Sequence, residues 1–175
     1  MKKYKIRKGR HSSRPRLIKF WRNKKEFNFS FILTTSCWYP KEVVSIPGIS
    51  KIGGVSFGIH AEDLGFLNKI IPRRWINSLV IGWKPSEEFG TFDLFGINDN
   101  EGVETRPKLN YKIKAGQKIN VRIVNYNKFV LLHINGKLVK TIILNGNINF
   151  GYYLGFYHGG KDAAYWDMTS YLEIK

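Results

Sequence analysis

Hydrophobic residues along this chain recur mostly with a period of two. The clearest run is Phe27-Asn28-Phe29-Ser30-Phe31-Ile32-Leu33, where Phe27, Phe29, Phe31 and Leu33 alternate with smaller or polar residues. Successive side chains of a strand point to opposite faces, so this run predicts a strand with one face more buried than the other. Shorter runs rich in β-branched and aromatic residues predict strands at Leu17–Trp21, Gly54–His60, Ser78–Trp83, Thr91–Ile97, Val103–Tyr111, Ile119–Asn125, Phe129–Ile134, Leu138–Leu144, Tyr152–Tyr157 and Met168–Ile174. Gly, Asn, Pro or charged turns separate them. Many short strands at tight spacing indicate an all-β sandwich or barrel. Asn135-Gly136, set between two apolar runs, predicts a type I′ turn that joins Phe129–Ile134 and Leu138–Leu144 in one hairpin.

Two segments depart from this pattern. Residues Met1–Arg16 are interrupted by Gly9, Ser12, Ser13 and Pro15 and show no helical face, which predicts an extended arm ahead of a sandwich domain over residues 17–175. Ala61–Trp75 places Leu64, Leu67, Ile70 and Ile71 near helical spacing, with Pro72 to end the turn. It reads as an insertion: a helical turn followed by a basic aromatic tip at Arg73-Arg74-Trp75.

Charge sharpens the division. The 175 residues carry a formal net charge of +16. Up to Lys25 there are 12 basic residues and no acidic one, and the remaining 17 basic residues face all 13 acidic ones. The excess is therefore concentrated in the leader, which predicts an electrostatic contact with an acidic surface. Lys5, Arg7, Lys8, Arg10, Arg14 and Arg16, with Arg73, Arg74 and Trp75 of the insertion, are the candidate partner-binding residues. A single cysteine, Cys37, allows no intrachain disulfide and no cysteine-based zinc site. Neither a secretory signal nor a membrane-length apolar run is expected, and hence no membrane partner.

Catalytic constellations are hard to find. Jelly-roll glucanases carry an E-x-D-x-(x)-E pattern that points alternate carboxylates into one cleft. The nearest run here, Glu87-Glu88-Phe89-Gly90-Thr91-Phe92-Asp93, has different spacing and reads as a turn entering a strand. Asn98-Asp99-Asn100-Glu101-Gly102 offers oxygens that suit calcium, but the same residues suit a tight turn. The four histidines stand far apart, without metal spacing, and no phosphate-cradling glycine loop precedes a helix. The expectation is a non-enzymatic protein with no catalytic residue, metal or cofactor. Trp166, beside His158, is the candidate aromatic platform for a sugar ring. Sandwich cores and rims also consume tryptophans.

Lys118–Leu144 resembles the hairpin of laminin-G and concanavalin-like domains, in which a strand, a short turn and a strand ending in "V-N-G-K" carry the chain across one sheet. Tyr152–Ile174 resembles the closing segment of such jelly rolls, where "L-G-x-Y-x-G-G" leads through "D-M" into a last edge strand. The resemblance implies a concanavalin-like jelly roll, a fold that hosts lectins, glycosidases, adhesion modules and capsid parts. Arg10–Arg16, Gly54–His60 and Ser78–Trp83 also resemble segments of small proteins of Bacteroidetes and of their crAss-like phages. That likeness implies an auxiliary (decoration) capsid protein of a virion, docked on acidic surfaces of neighbouring capsid proteins through its basic arm. A lectin-like carbohydrate-binding module is the alternative. Non-specific nucleic-acid binding through the arm is a third reading, and it would be strongly salt-dependent.

Overall fold

The computed structural model describes residues 1–15, 17, 19–40, 48–58, 77–100, 103–144, 149–159 and 163–175. Within them the chain forms thirteen strands: β1 (Lys2–Ile6), β2 (Phe20–Arg22), β3 (Glu26–Leu33), β4 (Ser50–Phe57), β5 (Asn77–Pro85), β6 (Thr91–Asn100), β7 (Val103–Thr105), β8 (Lys108–Lys114), β9 (Ile119–Asn125), β10 (Phe129–Ile134), β11 (Lys137–Ile143), β12 (Phe150–Leu154) and β13 (Met168–Ile174). A single 3-10 turn at Thr35–Cys37 is the helical element among the described residues.

The strands make two antiparallel sheets. Sheet A runs β1-β13-β3-β9-β10-β11, and sheet B runs β2-β12-β4-β5-β6-β7, with β8 also paired to β6. The antiparallel β-sandwich expected from the period-two pattern is present. Phe27, Phe29, Phe31 and Leu33 all point inwards from β3 and are buried. They meet an inner row from sheet B that includes Val55, Phe57, Leu79, Ile81, Trp83, Phe92 and Leu94. Burial of each large side chain removes apolar surface from water and contributes on the order of 1.5–3 kcal/mol, opposed by chain entropy.

One end of the core is aromatic. Trp21 packs edge-to-face on Phe27 and Phe57 at 4.8 and 5.6 Å, and Tyr153 lies 6.0 Å from Phe27. The Trp21 indole N–H donates to the Ser56 carbonyl at 3.1 Å, tying β2 to β4 across the intervening β12. Gly151 permits that approach, because a Cβ there would lie 1.9 Å from the Ser56 oxygen and 2.8 Å from the Trp21 ring.

The β10–β11 hairpin turns at Asn135 and Gly136, whose φ values of 49° and 82° are those that type I′ geometry requires. The expected strand Val103–Tyr111 is two strands, β7 and β8, interrupted at Arg106-Pro107. Proline lacks the N–H a continuous ladder needs. Asn98, Asp99 and Asn100 belong to β6 and pair with both β5 and β7, so these oxygen-bearing residues lie in a strand. Glu101 and Gly102 lie outside the described residues, as do Arg16 and the whole insertion Ala61–Trp75 with its Arg73-Arg74-Trp75 tip.

The leader is extended, as expected, but its first residues are not a separate arm. Lys2–Ile6 forms the edge strand of sheet A, pairing along β13 from Lys2↔Leu172 to Ile6↔Met168. Tyr4 and Ile6 are buried in the core, while Lys3 and Lys5 point outwards. Period two was present here in the sequence and was masked by the charged alternate positions. The backbone of Lys5 also exchanges hydrogen bonds with Arg14 at 2.9 and 2.8 Å. Ser12 in turn bridges Tyr157, which bridges Lys51 next to the start of β4. Residues 2–14 thus form a seam that joins sheet A to sheet B along one edge of the sandwich.

Candidate functional site

The seam shapes a cavity of about 450 Å³, lined among the described residues by Arg7, Arg10, Ser12 and Arg14. The volume falls within the range of small-ligand clefts, about 300–1,000 Å³. Its geometry follows from local backbone. After β1 the chain reverses through Arg7–Arg10, closed by the Arg10 N–H donating to the Arg7 carbonyl at 3.0 Å, with Gly9 at φ 74°. Gly9 and Lys8 are pinned to the opposite segment: the Gly9 N–H donates to the Ala164 carbonyl at 2.7 Å and the Lys8 N–H to Asp167 Oδ1 at 2.9 Å. On the returning stretch the chain bends at His11, and Ser12 and Arg14, both bridge residues two apart, are exposed. Ser13, between them, is buried.

The cations of the leader divide into two groups. Lys5 Nζ pairs with Asp167 at 2.6 Å. The Lys5 hydrogen bond first, and then that from the Lys8 N–H, hold the Asp167 carboxyl below its ordinary range. No ion pair links Arg7, Arg10 or Arg14 to a carboxylate among the described residues. Three exposed guanidinium groups therefore face one cavity, each with planar donors suited to a carboxylate or sulfate group.

Beside the cavity lies an aromatic stack. The His11 ring stacks on Tyr157 at 5.6 Å and on His158 at 6.2 Å, and His11 Nδ1 lies 3.0 Å from the His158 carbonyl. Tyr157 is 40% exposed. His158, an expected ligand contact at a loop mouth, is buried instead, with Nδ1 3.2 Å from Ser50 Oγ. Trp166, the other expected sugar contact, packs against the core. Its indole N–H donates to the Ser36 carbonyl at 2.8 Å, and its ring meets Tyr39 at 6.4 Å. Trp21 and Trp83 are core residues, and the Trp38 N–H donates to the Ser86 carbonyl at 3.2 Å.

The exposed aromatic surface is elsewhere, on the outward face of sheet B. Phe20 pairs with Tyr152, and Arg22 with Phe150, so these four side chains stand on one face, opposite to Trp21 and Tyr153. Phe20 is 66% exposed and Phe150 46%, and Phe20 meets Tyr152 edge-on at 6.3 Å. Tyr157 lies beyond the end of β12 and makes isolated bridges to Ser12, which lines the cavity, and to Lys51. The sequence signal for this row was present in the alternation of Phe20 and Arg22 around Trp21, but which of them faced outwards depended on the pairing partner.

Among the described residues no three metal-ligating side chains converge, and no helix is long and apolar enough to cross a membrane. Cys37 is buried, and burial pushes its thiol up to about 12.

No protein-family model matches the sequence, and no curated protein matches it. Solved structures do. The alginate lyase AlyC3 shares 11% identity at a TM-score of 0.58, over 99% of this chain and 74% of that one. The catalytic domain of an endo-1,3-beta-glucanase (laminarinase) from Thermotoga petrophila RKU-1 shares 10% identity at 0.55, over 98% and 74%. A family 7 alginate lyase, A1-II′, in complex with a substrate shares 11% at 0.52, over 90% and 63%. The fold is the concanavalin-like jelly-roll sandwich.

These similarities correct one expectation and weaken another. The want of a paired-carboxylate strand predicts a non-enzymatic chain. The structures that share its fold over nearly its full length are enzymes, so that missing pattern is no ground for excluding catalysis. The capsid reading rested on a cationic arm standing apart from the body, and Lys2–Ile6 is instead a strand of sheet A. The virion location, the capsid partners and the phage context find no support in these similarities.

Proposed function

We propose that this chain binds polysaccharide along the outward face of sheet B, from Phe20, Phe150 and Tyr152 towards Tyr157 and the adjoining cavity. The observation that carries the reading is the row of solvent-facing aromatic rings on one sheet face of a jelly roll. Aromatic rings on a soluble protein are normally buried, and Phe20 at 66% exposure leaves its ring available to the apolar face of a sugar. In support, proteins of the same fold are named for acting on alginate and on 1,3-beta-glucan. Arg22, opposite Phe150, adds donors for hydroxyl oxygens at the edge of the row.

Affinity electrophoresis through gels containing alginate, laminarin or polygalacturonate tests the reading. Retardation in at least one gel is expected. Phe20→Ala and Tyr157→Ala, at exposed positions, should each weaken it about three- to tenfold, as an aromatic contact of 0.5–1.5 kcal/mol implies. Migration unchanged in every gel would overturn the proposal. Incubation with the same polysaccharides and an assay for new reducing ends tests for cleavage beside binding.

A further inference from the structure

We infer that the Arg7–Arg10–Ser12–Arg14 cavity takes an acidic sugar residue, carboxylated or sulfated, of the bound polysaccharide. The inference rests on the polysaccharide-binding reading and narrows it to a substrate class. The fold leaves that class open, since enzymes named for different polysaccharides share it.

The local chemistry is more specific. A protein surface usually intersperses charges of both signs, and here the neighbouring Lys5 shows the ordinary outcome, a 2.6 Å pair with Asp167. Arg7, Arg10 and Arg14 lack such a pair among the described residues, although they line one cavity of about 450 Å³. Arg7 also acts on the Asp167 carboxylate, so an anion entering the cavity would meet the charges of Arg10 and Arg14 above all. The positions are also rigidly held. Arg14 is fixed by two backbone hydrogen bonds with Lys5, and the Arg7–Arg10 turn is fastened to Ala164 and Asp167. A guanidinium whose backbone is immobile loses less freedom on forming a two-pronged contact with a carboxylate or sulfate. Ser12, which lines the cavity with Arg10 and Arg14, supplies a hydroxyl for a sugar oxygen.

Tyr157 adjoins the cavity. Ser12 bridges Tyr157, and His11 stacks on the Tyr157 ring at 5.6 Å. A sugar chain resting on the exposed edge of Tyr157 would lie beside Ser12, on the stretch that carries Arg10 and Arg14. The aromatic row would grip any sugar, and the cavity would select those that carry negative charge.

The test compares ligands that differ only in charge: polygalacturonate against its fully methyl-esterified form, and dextran sulfate against dextran. Titration calorimetry at fixed ionic strength, with the full chain, gives the affinities. At least one acidic member is expected to bind tenfold or more tightly than its neutral counterpart. Which pair shows the preference separates carboxylate from sulfate recognition. The double variant Arg10→Gln, Arg14→Gln, at exposed positions, should reduce the acidic ligand to the level of the neutral one. Phe20→Ala should weaken both members of the pair alike. Equal affinity for acidic and neutral forms, or a preference that survives the double variant, overturns this inference while leaving polysaccharide binding in place. Binding of single-stranded DNA that the double variant loses, with no glycan bound at all, overturns both.

Discussion

Ile6 tests the placement of the leader in the core most directly. Its side chain is fully buried, opposite Met168 on β13, with Tyr4 two residues away on the same face. Truncation to alanine removes most of that side chain and leaves a space that rigid neighbours close only in part. Losses at such sites are about 2–5 kcal/mol, and about 3 kcal/mol suits an edge strand next to a central one. With a urea slope of about 2 kcal/mol/M, the unfolding midpoint of Ile6→Ala should fall by about 1.5 M. For a chain of this size the melting temperature should fall by about 6–12 °C. Lys3→Ala is the matched control, since Lys3 points outwards from the same strand, and it should stay within about 0.5 kcal/mol of the parent. Equilibrium unfolding followed by tryptophan fluorescence reads both, because Trp21 and Trp83 lie in the core. A free basic arm would leave Ile6→Ala and Lys3→Ala alike. Coincident curves for the two variants and the parent would refute the core placement of β1 and with it the seam that shapes the cavity.

Two further outcomes follow from titratable groups. The hydrogen bond from Arg122, followed by that from Asn28, holds the Glu26 carboxyl at about 2. A depressed folded-state value means the stabilisation is complete above the ordinary carboxylate range and is lost as pH falls towards 2. Melting temperatures of parent and Glu26→Gln should therefore differ at neutral pH and converge in acid; a difference that is constant across that range contradicts the pairing. The Cys37 thiol, raised to about 12 by burial and donating to the Thr169 carbonyl at 3.1 Å, should resist an aromatic disulfide reagent in the native protein. It should react at once in denaturant, and immediate stoichiometric labelling under native conditions would contradict its burial.

Alternation and turn chemistry were enough to read the sandwich from the residues alone. The strands Ile119–Asn125, Phe129–Ile134 and Met168–Ile174 coincide with β9, β10 and β13, and Asn135-Gly136 makes the turn that its backbone preferences dictate. Those features are local: period two and positive φ depend on residues within a few positions of one another. The net charge and its concentration before Lys25 were equally visible. Assigning the leader to an arm failed because Tyr4 and Ile6 supply only two apolar positions among lysines, and such a strand gains its burial from β13, some 165 residues further along. The same distance hid the site. His158 is buried beside Ser50, and Trp166 is half-buried against Ser36 and Tyr39, all from the other half of the chain. Phe20 and Phe150 stand in solvent because the face on which a side chain lands is decided by strand pairing, which no local pattern encodes. Composition determined that the leader would be cationic. Only the folding of Arg7–Arg14 back against Phe156, His158, Ala164 and Asp167 brought three of its arginines round one cavity.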